Sequence, residues 1–345
     1  MLATTIINAR RLSVLKFLVE KYVATAEPVP SGVIVKKIEP TVSSATVRNY
    51  MATLEGSGHI TRPHISAGGV PSSKGYRLYV DTMGNADELP DSIKKGIRQK
   101  FKATSNDVMT YIQLATSILS SMTGNMAVVT YPQTQQSRVR RLEIVYLKDF
   151  LALVVVVLQG ARLVQQLVTL KEKVNQDKLT KVANKLNAIF AGHSLEEINN
   201  HRLELSDIEE DIKRDALTAL KERDSDSSIE HNVDGMRRLL EQPEFSETDK
   251  AKKLVELVEE EVFVRQISSE LGMHGRVAVV IGDENSEETL RDYSIINCQY
   301  GHDAEYSGTV SVIGPTRMGY NSSVSAATFL SSVVDELVLA HYEVS

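Results

Sequence analysis

Val42-Ser43-Ser44-Ala45-Thr46-Val47-Arg48-Asn49-Tyr50-Met51-Ala52-Thr53-Leu54-Glu55 is the stretch that decides how the N-terminal part of the chain is read. Ser43 is a suitable helix N-cap, and Gly56 and Gly58 are suitable stops. On that helix Val47, Met51 (or Tyr50) and Leu54 form one inward stripe, leaving Ser44, Thr46, Arg48 and Asn49 for the other faces. An arginine can bind guanine through two hydrogen bonds and an asparagine can do the same with adenine, so the outer start of this helix carries base-reading chemistry. A polar outer face alone is usually just a solvated one.

Upstream, Ile7, Leu12, Leu15, Leu18, Val19 and Tyr22 recur at helical spacing over residues 6–24. Pro28 and Pro30 break that pattern, Ser31 caps a short second helix to about Lys37, and Pro40 closes it. Three short helices ending on this one describe a helix-turn-helix whose last helix enters the major groove. Downstream, residues 59–65 read as a strand and Ser66-Ala67-Gly68-Gly69-Val70-Pro71 as a turn and return strand. A hairpin there is a wing, able to set cations and backbone N–H groups against phosphates or the minor groove; Gly68-Gly69 also fits a tight turn and nothing more. Ser72 or Ser73 then starts a helix over residues 74–81.

The net charge of −6 is opposite to that of most nucleic-acid binders, but it is unevenly spread. Residues 1–80 hold 10 Lys and Arg against 4 Asp and Glu, and residues 81–192 hold 15 against 9. Residues 193–262 reverse this with 10 against 21, and 263–345 hold 4 against 11. A polyanion therefore finds its surface in the first half. The longest uninterrupted apolar run, residues 150–158, is shorter than the roughly 20 residues of a membrane span. No secretion signal is legible, and the single cysteine, Cys298, permits no internal disulfide. Both features fit a reducing cytoplasm. Cys298 lies in a strand-like run and reads as a core residue.

Polar residues 84–106 read as a partly helical linker, followed by a helix over 107–121 and a strand near 125–131. Residues 140–146, 151–158 and 162–170 make three strand-like runs joined by short turns, an antiparallel meander. Helix follows over 177–190, and strands return at 277–281, 294–300 and 309–313 before a closing helix over 323–341. Ser246 starts a further helical run with Leu254, Val258 and Val262 on one face. The expected fold class is α+β: a winged helix-turn-helix (1–83), a linker (84–106), and one antiparallel sheet domain in two parts (107–192 and 273–345). A helical, acidic insertion (193–272) interrupts that domain.

No phosphate-binding loop, dinucleotide fingerprint, zinc-spaced Cys/His cluster or nucleophile–base arrangement is present, so no enzyme and no cofactor are expected. The expected DNA-facing set is Ser43, Ser44, Thr46, Arg48, Asn49, Arg62, His64, Gly68, Lys74 and Arg77. His59 and His64 form a close pair that reads as solvated hairpin residues or, when protonated, as phosphate ligands. Arg317 either faces an anionic ligand in a pocket lined by Gly314–Met318 or pairs with a local carboxylate.

The stretches Ser43–Asn49, Leu54-Glu55, Pro63-His64, Ser66–Gly68, Lys74–Arg77 and Tyr79–Asp81 resemble the heat-inducible transcription repressors called HrcA. Gly282-Asp283-Glu284-Asn285 and Ile313–Tyr320 resemble that family's C-terminal signatures, so the similarity runs from about residue 10 to 340. The chain departs from the family at Gly69, where an arginine is usual, and at Pro30, where a glycine is usual. A wing with Gly69 at its tip is one cation short, which shifts the expected grip toward Arg48, Asn49 and Arg62. The resemblance implies a GAF-like sheet domain and an inserted domain that contributes to dimerisation. It also implies a homodimer on double-stranded DNA at the inverted-repeat operator called CIRCE, with activity supported by the GroEL chaperonin. The alternative reading is a winged-helix regulator gated by a metabolite in the sheet domain.

Overall fold

The computed structural model describes residues 9–38, 43–64, 67–84, 86–104, 107–133, 138–158, 163–200, 205–225, 229–245, 256, 276–302 and 306–344. The N-terminal head opens with α1 (Ala9–Thr25), α2 (Ser31–Ile38) and α3 (Ser44–Gly56). It continues through the short antiparallel pair β1 (Ile60–Thr61) and β2 (Val70–Pro71) into α4 (Ser73–Asp81). Its core is the apolar stripe of each helix: Val14, Leu15, Leu18 and Val19 from α1, Ile34 from α2, and Val47, Met51 and Leu54 from α3. Helical periodicity places Leu15, Leu18, Val19, Val47, Met51 and Leu54 inward, whereas Val14 and Ile34 lie outside the stripes that the sequence marks.

The expected linker holds a defined helix, α5 (Asp91–Lys102), because Ile97 and Phe101 are buried and the Phe101 ring lies 6.2 Å from that of Tyr111. Tyr111 belongs to α6 (Val108–Thr123), capped at its start by Asp107 and ended by left-handed Gly124, which leads into β3 (Met126–Thr130).

The meander is β4 (Val139–Lys148), β5 (Leu151–Leu158) and β6 (Leu163–Thr169), followed by α7 (Gln176–Phe190), α8 (Leu195–Asn200) and α9 (Asp207–Ser225). These strands form their own three-stranded sheet with its own core. Leu142, Val154, Val156 and Val168 point to one side and pack with Leu179, Leu186 and Phe190 of α7 and Ile212 of α9. Side-chain amides close the outer edge of β4. Asn187 accepts from Leu142 N and donates to its carbonyl, each at 2.7 Å, and Gln176 does the same with Tyr146 N and Ile144 O at 2.8 and 2.9 Å.

The chain then returns through β7 (His231–Asp234) and α10 (Met236–Leu240). It ends with β8 (Val277–Ile281), β9 (Tyr293–His302), β10 (Tyr306–Pro315) and α11 (Tyr320–Val344). A five-stranded antiparallel sheet has the order β7-β3-β10-β9-β8. α11 lies along β9, where the Tyr320 hydroxyl meets Ser294 Oγ at 2.7 Å. By length and composition, Tyr320–Ala340 could cross a membrane, although polar residues interrupt its apolar run. Ala326, Ala327, Leu330, Val333, Val334 and Val338 bury one face of it, as a core helix requires.

The one interrupted sheet expected from the sequence is therefore two sheets. One compact unit comprises Met1–Tyr131, His231–Tyr300 and Thr309–Val334; the other comprises Pro132–Glu230, Gly301–Gly308 and Asp335–Ser345. The division does not follow the expected boundaries at 193 and 272. The meander finds its covering helices in α7 and α9, and β7 has already rejoined β3 by residue 231. The run containing Leu254, Val258 and Val262 lies outside the described residues.

Candidate nucleic-acid interface

Ser43 begins the site as the cap of α3. Its Oγ accepts from Thr46 N at 3.1 Å and lies 2.9 Å from Thr46 Oγ1, so these two hydroxyl side chains hold the helix start. With Val47 and Met51 turned inward, Ser44, Arg48 and Asn49 stand exposed on the opposite face. Among the described residues no ion pair or hydrogen bond engages the side chain of Arg48 or Asn49, while the Asn49 carbonyl accepts from Thr53 Oγ1 at 2.9 Å.

The hairpin contributes less than expected. Arg62 is half-buried with its Nε 3.2 Å from Glu55 Oε2, while His64 is exposed. Ile65 and Ser66 lie outside the described residues. Gly68 and Gly69 are buried, and Gly69 exchanges two 2.9 Å backbone hydrogen bonds with Val29. A Cβ on Gly68 would sit 2.3 Å from the Val29 carbonyl carbon, so the glycine serves a backbone crossing and presents no surface to a ligand. A Cβ on Gly69 would point at the tips of Leu18, Met51 and Ile60. Gly69 is thus not at an exposed wing tip, and its lack of a side chain removes no tip cation. The third element it adds to the hairpin, the bridge to Val29, has no signature in local sequence.

Two further cations are already engaged. Lys74 Nζ donates to Ser57 O at 2.8 Å and stays exposed beside α3. Arg77 faces the five-stranded sheet, donating from Nε to Glu284 Oε1 at 2.7 Å and from Nη2 to Val279 O at 2.5 Å. Arg317 pairs with a carboxylate: Nε and Nη2 reach the two Glu244 oxygens at 2.5 and 3.1 Å, and Nη1 donates to Val23 O at 2.7 Å. Sequence reasoning missed Glu244 and Glu284 as partners because each lies far along the chain from its arginine. The only available signal was that Glu284 sits in a quoted motif.

His59 is buried, not solvated, with Nδ1 2.8 Å from Ser57 Oγ. Burial, then the nearby Lys74 charge, hold its pKa below the usual 6.5. The unfolded chain binds a proton near pH 6.5 that the folded head resists. Stability is therefore complete above that value and falls as pH drops toward the folded pKa. Denaturant unfolding on either side of pH 6.5 is expected to show this acid-side loss, and His59→Gln to flatten it. An unchanged slope in the variant would assign the loss to other groups.

Cys298 is buried with Sγ 3.7 Å from Thr328 Oγ1, and burial pushes its thiol up to about 11, which keeps it protonated and unreactive at neutral pH. Among the described residues no group of three His, Cys, Asp or Glu could hold a metal ion.

Residues 109–324 match the family model described as HrcA protein C terminal domain. A heat-inducible transcription repressor HrcA from Dehalococcoides mccartyi (strain ATCC BAA-2266 / KCTC 15142 / 195) is 37% identical over 329 residues, covering 95% of each chain. The protein of the same name from Roseiflexus castenholzii is 32% identical, covering 98% of this chain and 96% of its own. A solved structure described as a hypothetical protein superposes with a TM-score of 0.58 at 19% identity, over 97% of this chain and 98% of that one, which shows a shared fold.

Proposed function

The chain belongs to the HrcA family of heat-inducible transcription repressors, and from that premise we propose how this repressor grips DNA. The head is a winged helix-turn-helix, with α3 as the recognition helix and β1–β2 as the wing. The observation that carries the reading is the pair Arg48 and Asn49 near the capped start of α3, whose exposed side chains have no partner among the described residues. Ser44, Arg48 and Asn49 read base edges in the major groove. Ser43 and Thr46 hold the helix start close to the backbone, and His64, Lys74 and Arg62 contact phosphates, Arg62 after release from Glu55.

Arg48→Ala is expected to cost about 1–3 kcal/mol of operator binding and to leave nonspecific binding nearly intact. Gel-shift titration on operator and scrambled DNA measures both. Equal losses on the two DNAs would remove Arg48 from base reading.

The operator is the CIRCE inverted repeat upstream of chaperone operons, bound by a homodimer in the cytoplasm. The dimer forms through the outer face of the β4–β6 sheet, where Val145, Leu153 and Leu167 lie side by side across the three strands and Val157 is paired with Leu163. Val145, Leu163 and Leu167 are 43%, 48% and 58% exposed, so the apolar side chains of this face are open to a partner. The five-stranded sheet is the GAF-like domain. GroEL supports the repressor's activity, which footprinting of the operator with and without GroEL tests directly.

A metabolite-gated regulator is less well supported. The arginine it would offer an anionic ligand, Arg317, already spends its donors on Glu244 and Val23 O.

A further inference from the structure

Three of the sequence motifs meet at one place, the junction between the head and the five-stranded sheet. Lys74–Arg77 lies in α4, Gly282–Asn285 follows β8, and the turn containing Arg317 joins β10 to α11. Arg77 forks onto both oxygens of Glu284, and Glu284 Oε2 is itself held by Ile281 N at 2.9 Å. Ser73 Oγ donates to Asp283 Oδ2 at 3.0 Å. Gly282 has φ +53, and a Cβ there would stand 2.7 Å from Ser73 Oγ, so α4 approaches this turn as closely as it does only over glycine.

The other end of the head is pinned separately. Val23 lies in the last turn of α1, where a carbonyl has no partner within the helix, and Arg317 supplies one while anchored to Glu244. Between the two clamps the Tyr76 and Tyr320 rings lie 5.6 Å apart, both buried. A head held at both α4 and the end of α1 cannot swivel on the sheet, and α3 packs on α1. Its direction is fixed with theirs.

We propose that Arg77 and Arg317 are positioning residues: their clamps on Glu284 and Glu244 fix the direction of the recognition helix, so that two heads accept half-sites at one spacing. The proposal rests on the dimeric operator reading given above. Arg77 acts here away from the DNA, which the carboxylate side of each clamp can test because neither glutamate is part of the DNA-contacting face.

The experiment titrates the full chain onto three DNAs: one half-site, the inverted repeat, and the repeat with its spacer lengthened by about half a helical turn, roughly 5 base pairs. The wild type is expected to prefer the natural spacing. Glu284→Gln and Glu244→Gln should keep half-site affinity, which shows the head folded, while the preference for natural over lengthened spacing shrinks by about tenfold. Arg77→Lys keeps the charge without the two-pronged grip and should fall between. Unchanged spacing preference in both glutamine variants overturns the proposal. So does a parallel fall on the half-site, which would place the clamps in folding or direct DNA contact. A wild type that binds the repeat no better than one half-site overturns the dimeric reading itself, a distinct result.

Discussion

Replacing Gly75 by alanine is expected to loosen the head and weaken operator binding, while the β4–β6 unit stays folded. A Cβ at position 75 would lie 2.1 Å from the His59 carbonyl oxygen. That atom cannot step aside. The same carbonyl accepts from Ser72 N at 3.1 Å, in the turn where Ser72 Oγ caps α4 by accepting from Gly75 N, also at 3.1 Å. Relief requires moving α4 off the hairpin, and overpacking of this kind costs about 1–3 kcal/mol, sometimes more. Amide exchange should register the change across α1–α4, with protection there falling by about a hundredfold for a loss near 3 kcal/mol. Gly56→Ala is the matched control, because nothing lies within 4 Å of its added Cβ, and it is expected to leave protection unchanged or improve it. Equal behaviour of the two variants would contradict the close approach at Gly75.

Charging the outer face of the meander is expected to split the proposed dimer. Leu163 and Leu167 point away from the core of their own sheet, whose buried side is Val164 and Val168. In a monomer, aspartate at both positions would be close to neutral for stability. In a dimer sealed by this face, the two charges have no route to water. The Leu163→Asp, Leu167→Asp variant should sediment as a monomer and still unfold cooperatively, at a denaturant concentration that no longer depends on protein concentration. Its affinity for the inverted repeat should fall by about a hundredfold or more through lost bivalency, with half-site binding preserved. A variant that remains dimeric would move the interface elsewhere.

What was legible in the sequence was whatever local chemistry decides. Ser43 announced the start of α3, and the 3.6-residue stripe of α1 its buried side. The partition into two sheets was not legible. Leu151–Leu158 is apolar on both faces, so alternation does not reveal which neighbours it buries against or that one face is left outside. β7 is four residues with one apolar side chain, Val233, and its partner β3 lies about a hundred residues earlier, so nothing local marks it as a strand of the central sheet.

The candidate site divides in the same way. The exposure of Arg48 and Asn49 was legible because it depends only on the helix they sit on. Arg77 carried the same charge and was placed with them, yet its partner is 207 residues away and becomes visible only in three dimensions. Gly69 taught the complementary lesson. Its place in a turn-like dipeptide suggested an exposed tip, whereas pairing with Val29 draws it into the head.

The most direct test of the account is a DNase footprint of the full chain on a fragment carrying the inverted repeat, alongside the same footprint with Arg48→Ala. The account predicts protection of both half-sites, symmetric about the dyad and appearing at one protein concentration, with both lost together in the variant. Protection of a single half-site, or a footprint that Arg48→Ala leaves unchanged, would contradict it.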